Sequence, residues 1–313
     1  MEEVSVIIPT YNRAHLLMNA VNSILDQTYK VLEIIIIDDC STDNTQELVK
    51  TITNNKIKYI KNKTNQGGAE SRNIGAKYAS GKFIAFLDSD DHWEKSKLEQ
   101  QMTILNTNDS IGVVYSGIKI IDGTKQNKTL LPDKRGDLSS ELLMANCVGS
   151  TSTVVIRREL FNSVKGFDKS MPSCQDWDLW IRLSKITHFD YIKEALVNYY
   201  EHPGERITTN TNAVVNGHLR IFNKYQEDIN KLRDKEISNV YFYIGKVIAK
   251  SGMINLESST LSQSRNFFKK AIQYKRYNIK AALFYISTFI SKNILKEVYM
   301  LTKNMKKFKK GTI

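Results

Sequence analysis

Five aspartates stand in two short clusters whose spacing suits phosphate and metal chemistry. Asp38 and Asp39 close the apolar run Glu33-Ile-Ile-Ile-Ile-Asp38, and Asp88, Asp90 and Asp91 close Phe83-Ile-Ala-Phe-Leu-Asp88. In an extended chain, residues two apart point the same way. Asp88 and Asp90 can therefore aim both carboxylates at one point while Ser89 faces away. Two converging carboxylates suit Mg²⁺ or Mn²⁺, hard ions that take few protein oxygens and keep positions open for a diphosphate. In isolation, Asp-Ser-Asp-Asp reads more readily as a solvated turn with a helix cap. Its place at the end of the fourth strand of an alternating series reverses that reading.

That series occupies about the first 90 residues. Val4 to Pro9, Glu33 to Asp38, Ile57 to Ile60 and Phe83 to Asp88 read as strands, the second nearly all β-branched as in a central parallel strand covered on both faces. Between them, His15 to Gln27 carries apolar residues at helical spacing, a second helix starts near Asp43, and Gly68 to Ala79 forms a third. Strands alternating with helices predict an α/β domain built on an open, mostly parallel sheet with right-handed crossovers. Ligands bind such sheets at the carboxyl ends of the strands, where all five aspartates fall.

The second half is less regular. Lys95 to Asn108 and Asp176 to Lys185 read as helices, and Gly112 to Ile120, Ser152 to Arg157 and Val197 to Glu201 as strands. From Asn212 onward the pattern is helical throughout. The pattern predicts an α/β domain over 1–210, regular over 1–95 and less regular over 96–210. A helical C-terminal region over 211–313, basic from 260, follows it.

Four motifs in order carry a resemblance: Val4 to Arg13 (Val-Ser-Val-Ile-Ile-Pro-Thr-Tyr-Asn-Arg), Ile37 to Asp43 (Ile-Asp-Asp-Cys-Ser-Thr-Asp), Asn65 to Gly75 (Asn-Gln-Gly-Gly-Ala-Glu-Ser-Arg-Asn-Ile-Gly) and Phe86 to Asp91 (Phe-Leu-Asp-Ser-Asp-Asp). Over about residues 3–205 the chain resembles family-2 glycosyltransferases of the GT-A fold, which implies a catalytic domain over 1–210 with a nucleotide half over 1–95 and an acceptor half over 96–210. The resemblance implies an inverting enzyme that transfers a hexosyl or N-acetylhexosaminyl group from a nucleotide sugar, commonly a UDP sugar, to a hydroxyl acceptor. It also implies a divalent cation, Mn²⁺ or Mg²⁺, held by Asp88 and Asp90. Pro9, Tyr11 and Arg13 would border the nucleotide, Tyr11 by stacking on the base and Arg13 by approaching a phosphate. Asp39 would accept from a base N–H, Arg72 would contact the nucleotide or its phosphates, and Asp88 would serve the ribose as well as the metal. Asp38 is open between ending its strand and joining the site. Gly67, Gly68 and Gly75 are expected to allow tight turns and close packing.

A fifth motif, Gln175-Asp-Trp-Asp-Leu-Trp-Ile-Arg-Leu183, is similar to the family's Glu-Asp motif, with Gln175 in place of the glutamate. The resemblance makes Asp176 the general base that deprotonates the acceptor hydroxyl. Asp178 is expected on the helix surface and Trp180 in the core; Trp177 is open between core and sugar platform. Downstream, Tyr199-Tyr-Glu-His-Pro-Gly-Glu-Arg206 matches a stretch where His202 would be a third metal ligand or a diphosphate contact, and Arg206 would hold the leaving diphosphate.

The net charge of +12 is lopsided. Residues 260–313 hold eleven lysines, two arginines and one acid, Glu297, so residues 1–259 sum to zero. A basic attachment of this kind seeks phosphates. Phe267, Phe268, Ile272, Leu283, Phe284, Phe289, Ile290, Ile294, Leu295, Val298 and Leu301 lie among these cations, which predicts either an amphipathic contact with an anionic membrane or packing against the rest of the protein. No nucleic-acid motif is present, and no Walker sequence, which excludes that class of ATPase. Cys40, Cys147 and Cys174 form no CxxC pair. With no signal peptide in view, the expected location is cytoplasmic, peripheral on the inner face of the membrane, with a glycan or lipid-linked acceptor. The competing non-enzyme reading is a degenerate nucleotide-binding scaffold of a membrane glycan-assembly complex. Gln175 favours it, and retention of Asp39, Asp88, Asp90 and Asp176 opposes it.

Overall fold

The computed structural model describes residues 3–121, 128–201, 210–255 and 258–289. The chain divides into two compact units, one formed by 1–142, 146–171 and 175–204 and the other by 143–145, 172–174 and 205–313.

In the first unit the chain runs β1 (Val4–Thr10), α1 (Ala14–Leu25), β2 (Glu33–Asp38), α2 (Thr45–Lys50), β3 (Ile57–Lys61), α3 (Gly68–Tyr78) and β4 (Phe83–Phe86). It continues with β5 (Asp91–Trp93), α4 (Lys97–Thr107), β6 (Ile111–Ile121), β7 (Lys128–Leu130), α5 (Ser139–Met144), a 3₁₀ turn (Thr151–Thr153), β8 (Val154–Arg157), α6 (Arg158–Ser163), α7 (Gln175–Ser184) and β9 (His188–Tyr200). One sheet carries all nine strands in the order β3-β2-β1-β4-β8-β6-β9-β5, with β7 paired to β6.

The first four strands are parallel, as the alternating pattern requires. Because β2 lies on one side of β1 and β4 on the other, the strand order reverses at β1 and β4. The loops after those two strands, Tyr11 to Arg13 and Leu87 to Asp90, therefore flank a topological switch point, the usual ligand crevice of an open sheet. Beyond β4 the sheet is mixed: β8 runs antiparallel to β4 and β6, β6 is parallel to β9, and β5 is antiparallel to β9.

The core follows from the pleat. Val4, Val6 and Ile8 alternate along β1 and share one apolar cluster with Leu17, Ala20, Val21 and Ile24 of α1, Ile34 and Ile36 of β2, and Leu98 and Met102 of α4. Full burial of each such side chain contributes about 1.5–3 kcal/mol. On the opposite face α3 packs directly on the sheet. A Cβ at Gly75 would lie 2.4 Å from Ile7 Cγ2 and 3.3 Å from Ile37 Cγ1, so glycine sets that spacing.

The last strand differs from the sequence expectation: β9 spans thirteen residues from His188, not only the segment from Val197. Asp178 also differs. It is fully buried, and Arg182 one turn later closes an ion pair on it at 2.8 Å, so what reads as a surface i, i+4 pair is an internal one.

The second unit is helical where described: α8 (Thr211–Lys224), α9 (Gln226–Ile229), α10 (Asp234–Asn255), α11 (Ser258–Tyr274) and α12 (Ile279–Ser287). A Cβ at Gly245 would meet Phe268 Cε1 at 2.8 Å, and Ser238 Oγ donates to Ala271 O at 2.6 Å, locking α10 to α11. Phe242, Phe268 and Phe284 form one aromatic cluster, and Phe222, Tyr241 and Phe267 another. Phe268 is thus buried in the interior of this unit, with Phe267 and Phe284 half-buried against it and its neighbours. Ile290, Ile294, Leu295, Val298 and Leu301 lie outside the described residues.

Candidate active site

The loop after β1 is tied to the loop after β2. Asn12 sits at φ 52°, its N–H donates to Ser41 Oγ at 2.9 Å, and its Oδ1 accepts from Thr42 N at 2.8 Å. Asp43 accepts from Ala14 N at 3.1 Å, satisfying an otherwise open N–H in the first turn of α1. This braced loop leaves Tyr11 47% exposed at the rim and sends the Arg13 guanidinium to Asp90, with Nη1 2.7 Å from Oδ2.

Asp38 and Asp39 have separate tasks. Asp38 is fully buried, accepts from Ser41 N at 2.7 Å and from the Tyr59 hydroxyl, and sits 3.9 Å from Lys61 Nζ. Its oxygens are spent on holding β2, β3 and the following loop, which makes Asp38 structural. Asp39 accepts from Asn62 Nδ2 at 2.8 Å, Gln66 N at 2.8 Å and Gly67 N at 2.7 Å. It clamps the loop that enters α3, where Gly67 takes φ 81°, a left-handed value that costs glycine least. Three donors leave roughly one of a carboxylate's four acceptor positions for a ligand.

Asp88 pairs with Arg72, which reaches it from the first turn and a half of α3. A Cβ at Gly68 would stand 3.0 Å from Arg72 Nη1, so the glycine makes room for the guanidinium. Arg72 also lies 5.7 Å from the Phe167 ring centre, and its buried Nε has no hydrogen-bond partner among the described residues. Asp91 is buried beside this pair. Ser152 Oγ donates to Asp91 Oδ2 at 2.6 Å and accepts from Asp88 N at 3.1 Å, while Ser152 O accepts from Trp93 Nε1 at 2.8 Å. Beneath, the fully buried Lys97 places Nζ 3.9 Å from the Trp93 ring centre and 2.8 Å from Gln101 Oε1, and burial pulls its pKa well down. Gln101 Nε2 in turn donates to Thr153 O at 2.8 Å. Burial, then the negative charges of Asp88 and Asp90, push the Asp91 carboxyl well above the usual range, and its Oδ1 has no hydrogen-bond partner among the described residues.

Asp176 opens α7. Its Oδ1 accepts from Trp177 N at 2.8 Å and its Oδ2 from Asn146 Nδ2 at 3.2 Å. Burial raises its pKa to about 6; the negative charge of Asp88 adds to the rise, and the Trp177 N–H and the charge of Arg72 oppose it. The carboxyl therefore shares one electrostatic field with the Arg72–Asp88 pair. A base titrating near 6 is ionised at neutral pH yet still accepts a proton effectively. Gln175 donates Nε2 to Met171 O at 3.0 Å, so here an amide occupies the position where a carboxylate would face a carbonyl.

The chain matches the model of "Glycosyl transferase family 2" over residues 5–164, which contain both aspartate clusters, Arg72 and Ser152. It belongs to that family. Among relatives of this transferase, a UDP-Glc:alpha-D-GlcNAc-diphosphoundecaprenol beta-1,3-glucosyltransferase, WfgD of Escherichia coli, is 37% identical over 190 residues, 60% of this chain and 72% of that protein. The amylovoran biosynthesis glycosyltransferase AmsB of Erwinia amylovora is 32% identical over 224 residues, 65% of this chain and 73% of that one. In fold, the transferase is similar to S. aureus TarS at a TM-score of 0.62, with 20% identity over 92% of this chain and 54% of that chain. TarS 1-349 in complex with UDP-GlcNAc gives 0.58, with 20% identity over 92% and 79%.

In this family-2 glycosyltransferase, the structure brings Arg13, Arg72, Asp88 and Asp90 together in two ion pairs, with Asp176 in the field of one of them. Pro9 lies in β1 and Tyr11 just beyond it. His202 and Arg206 lie outside the described residues. Trp177 and Trp180 are both core: their indole N–H groups donate to Leu142 O at 2.6 Å and Gly149 O at 3.1 Å. Sequence reasoning missed Ser152. Its signal is weak, a serine just before the apolar run Val154-Val-Ile, 61 residues from the carboxylate it holds.

The residues present fit a divalent ion. Two arginines now balance Asp88 and Asp90, positions a cation could take, and burial first, then the charges of these two carboxylates, raise the Asp91 carboxyl beside them. Asp88 and Asp90 are hard oxygen donors of the kind Mg²⁺ or Mn²⁺ takes; among the described residues no group of three or more His, Cys, Asp or Glu is placed to hold an ion.

Proposed function

We propose that this glycosyltransferase moves a hexosyl or N-acetylhexosaminyl group, with inversion, from a UDP sugar to a hydroxyl of a lipid-linked glycan during bacterial surface polysaccharide synthesis. The observation that carries the proposal is the placement of Asp176, a single base with a pKa of about 6, in the field of the Arg72–Asp88 pair. Asp176 takes the proton of the acceptor hydroxyl. The freed oxygen forms its bond to the anomeric carbon as the bond from that carbon to the diphosphate oxygen breaks, and the bonding pair leaves with the nucleoside diphosphate. One displacement inverts the anomeric centre.

Asp88 and Asp90 would hold Mn²⁺ or Mg²⁺, which when bound supplies charge stabilisation to the leaving diphosphate. Arg13 and Arg72, relieved of their carboxylates, become available to the phosphates. Tyr11 offers an exposed ring to the base, and the remaining acceptor position of Asp39 suits an imide N–H. Donor and acceptor class draw support from WfgD, whose name specifies UDP-Glc and a diphosphoundecaprenol acceptor, and from the UDP-GlcNAc complex of TarS. An acceptor on a lipid carrier places the work at a membrane surface.

The test is a screen of nucleotide sugars for release of nucleoside diphosphate with Mn²⁺, Mg²⁺ or excess chelator. Metal-dependent release from UDP sugars alone is expected. Undiminished turnover in chelator would remove the metal, and release from no nucleotide sugar would favour the scaffold reading.

A further inference from the structure

The helix α12 is apolar on two opposite sides. Its inner side holds the fully buried Ala281 and the Phe284 ring, 5.4 Å from Phe242 and 5.8 Å from Phe268. Its outer side carries Ile279, Leu283 and Ile286, which are 71%, 61% and 60% exposed, with Tyr277, 80% exposed, just before it. The spacing i, i+4, i+7 makes these one stripe. A helix apolar all round is ordinarily enclosed, so this stripe calls for a cover.

The surroundings indicate its nature. No acid occurs between 258 and 289, whereas Arg265, Lys269, Lys270, Lys275, Arg276 and Lys280 do. Arg276 and Lys280 are exposed beside Tyr277 and Ile279. Arg265 lies 4.1 Å from the Phe289 ring centre, and Lys269 Nζ lies 5.8 Å from that of Tyr285. An apolar stripe edged by aromatic rings and cations, without a single acid, matches the boundary of an anionic bilayer: acyl chains for the stripe, headgroups for the cations. Among the described residues no helix is long and apolar enough to cross a membrane, so the contact is one of lying on the surface.

We infer that the outer face of α12, through Ile279, Leu283 and Ile286, is the surface by which this protein docks onto an anionic membrane. The inference rests on the proposed lipid-linked acceptor only for its purpose. It narrows the broad apolar series of the basic region to three residues that stand exposed on the described part of the second unit.

The test is co-sedimentation of the full chain with vesicles of equal parts phosphatidylglycerol and phosphatidylcholine, compared with phosphatidylcholine alone. Ile279→Ser/Leu283→Ser/Ile286→Ser is the variant, with donor hydrolysis in solution and sedimentation velocity as controls. The parent is expected to bind the anionic vesicles at low salt, to release as salt rises, and to lose at least about tenfold in partitioning when the stripe is removed. The variant should hydrolyse donor like the parent, because its changes are on exposed positions. A parent that ignores anionic vesicles overturns the inference, as does a variant that binds them equally well. A parent that self-associates through the stripe without binding vesicles also overturns it, in favour of a second copy. Absent donor hydrolysis in the parent would count against the proposed reaction and leave the vesicle result to stand alone.

Discussion

Arg13 Nη1 lies 2.7 Å from Asp90 Oδ2, joining the loop after β1 to the loop after β4 across the switch point of the sheet. The pair holds a carboxylate in place with a charge that a metal–diphosphate complex can replace. On the proposed metal role, Asp90→Asn should therefore lower turnover by at least about 10²-fold, because a neutral amide would not balance a divalent ion at the leaving diphosphate. Mn²⁺-dependent nucleotide binding, followed by calorimetry, should vanish with it. Nucleotide binding that stays metal-dependent in the variant would remove Asp90 from the metal site. Asp88→Asn should be severe but less complete.

Asp176→Asn should cut turnover by about 10²–10⁴-fold with donor affinity little changed. An equal loss of donor affinity would make Asp176 structural. In the parent, activity should rise with pH through about 6 and level off, since the base must be ionised. Stability runs the other way. The folded-state pKa lies above the ordinary 3.8, so the folded protein binds the extra proton, and this group's contribution declines as pH rises from about 4 to beyond 6. Removing the charge at pH 8 should stabilise the fold by about 1–2 kcal/mol in urea titrations, less than the full shift because the side chain keeps some water.

Ser152→Ala should leave the Asp91 carboxyl without its hydrogen bond and the Asp88 N–H without its acceptor. A buried polar group losing its partner costs about 1–3 kcal/mol. The expected result is that stability loss together with a higher metal concentration for half-maximal activity. If stability falls and the metal titration is unmoved, Ser152 supports the fold but does not position the aspartates.

Gln175→Glu restores the family's usual residue, yet the structure argues against a gain. Gln175 donates to Met171 O, and an ionised glutamate would set oxygen against oxygen. Stability should drop by about 1–2 kcal/mol at pH 8 and recover toward pH 5, where the carboxyl can donate. A variant as stable as the parent at both pH values would show that this hydrogen bond contributes little.

The parallel half of the sheet was legible because burial on both faces leaves a plain mark: Ile34 to Ile37 is a β-branched run with no polar interruption. The aspartates at its edge could be placed from the strand ends alone. The antiparallel half was harder. In β9, Lys193 and Glu194 interrupt the run on an exposed stretch, and the pairing with β6 shifts register near Ser116 and Gly117, so only Val197 to Glu201 stood out. β5 is three residues long and owes its existence to pairing with Tyr199 and Val197 far along the chain. Likewise, Asp178 resembled a solvated residue because its partner is four positions away; only tertiary packing encloses the pair.

Gly75 sits where α3 presses on Ile7 and Ile37, and Arg72 lies one helical turn before it. The reach of the Arg72 guanidinium toward Asp88 is thus gauged by a missing methyl group. Any side chain at Gly75 would lever the helix outward and pull Arg72 off Asp88. The Arg72–Asp88 pair is held to tolerance by an apolar contact about one helical turn away.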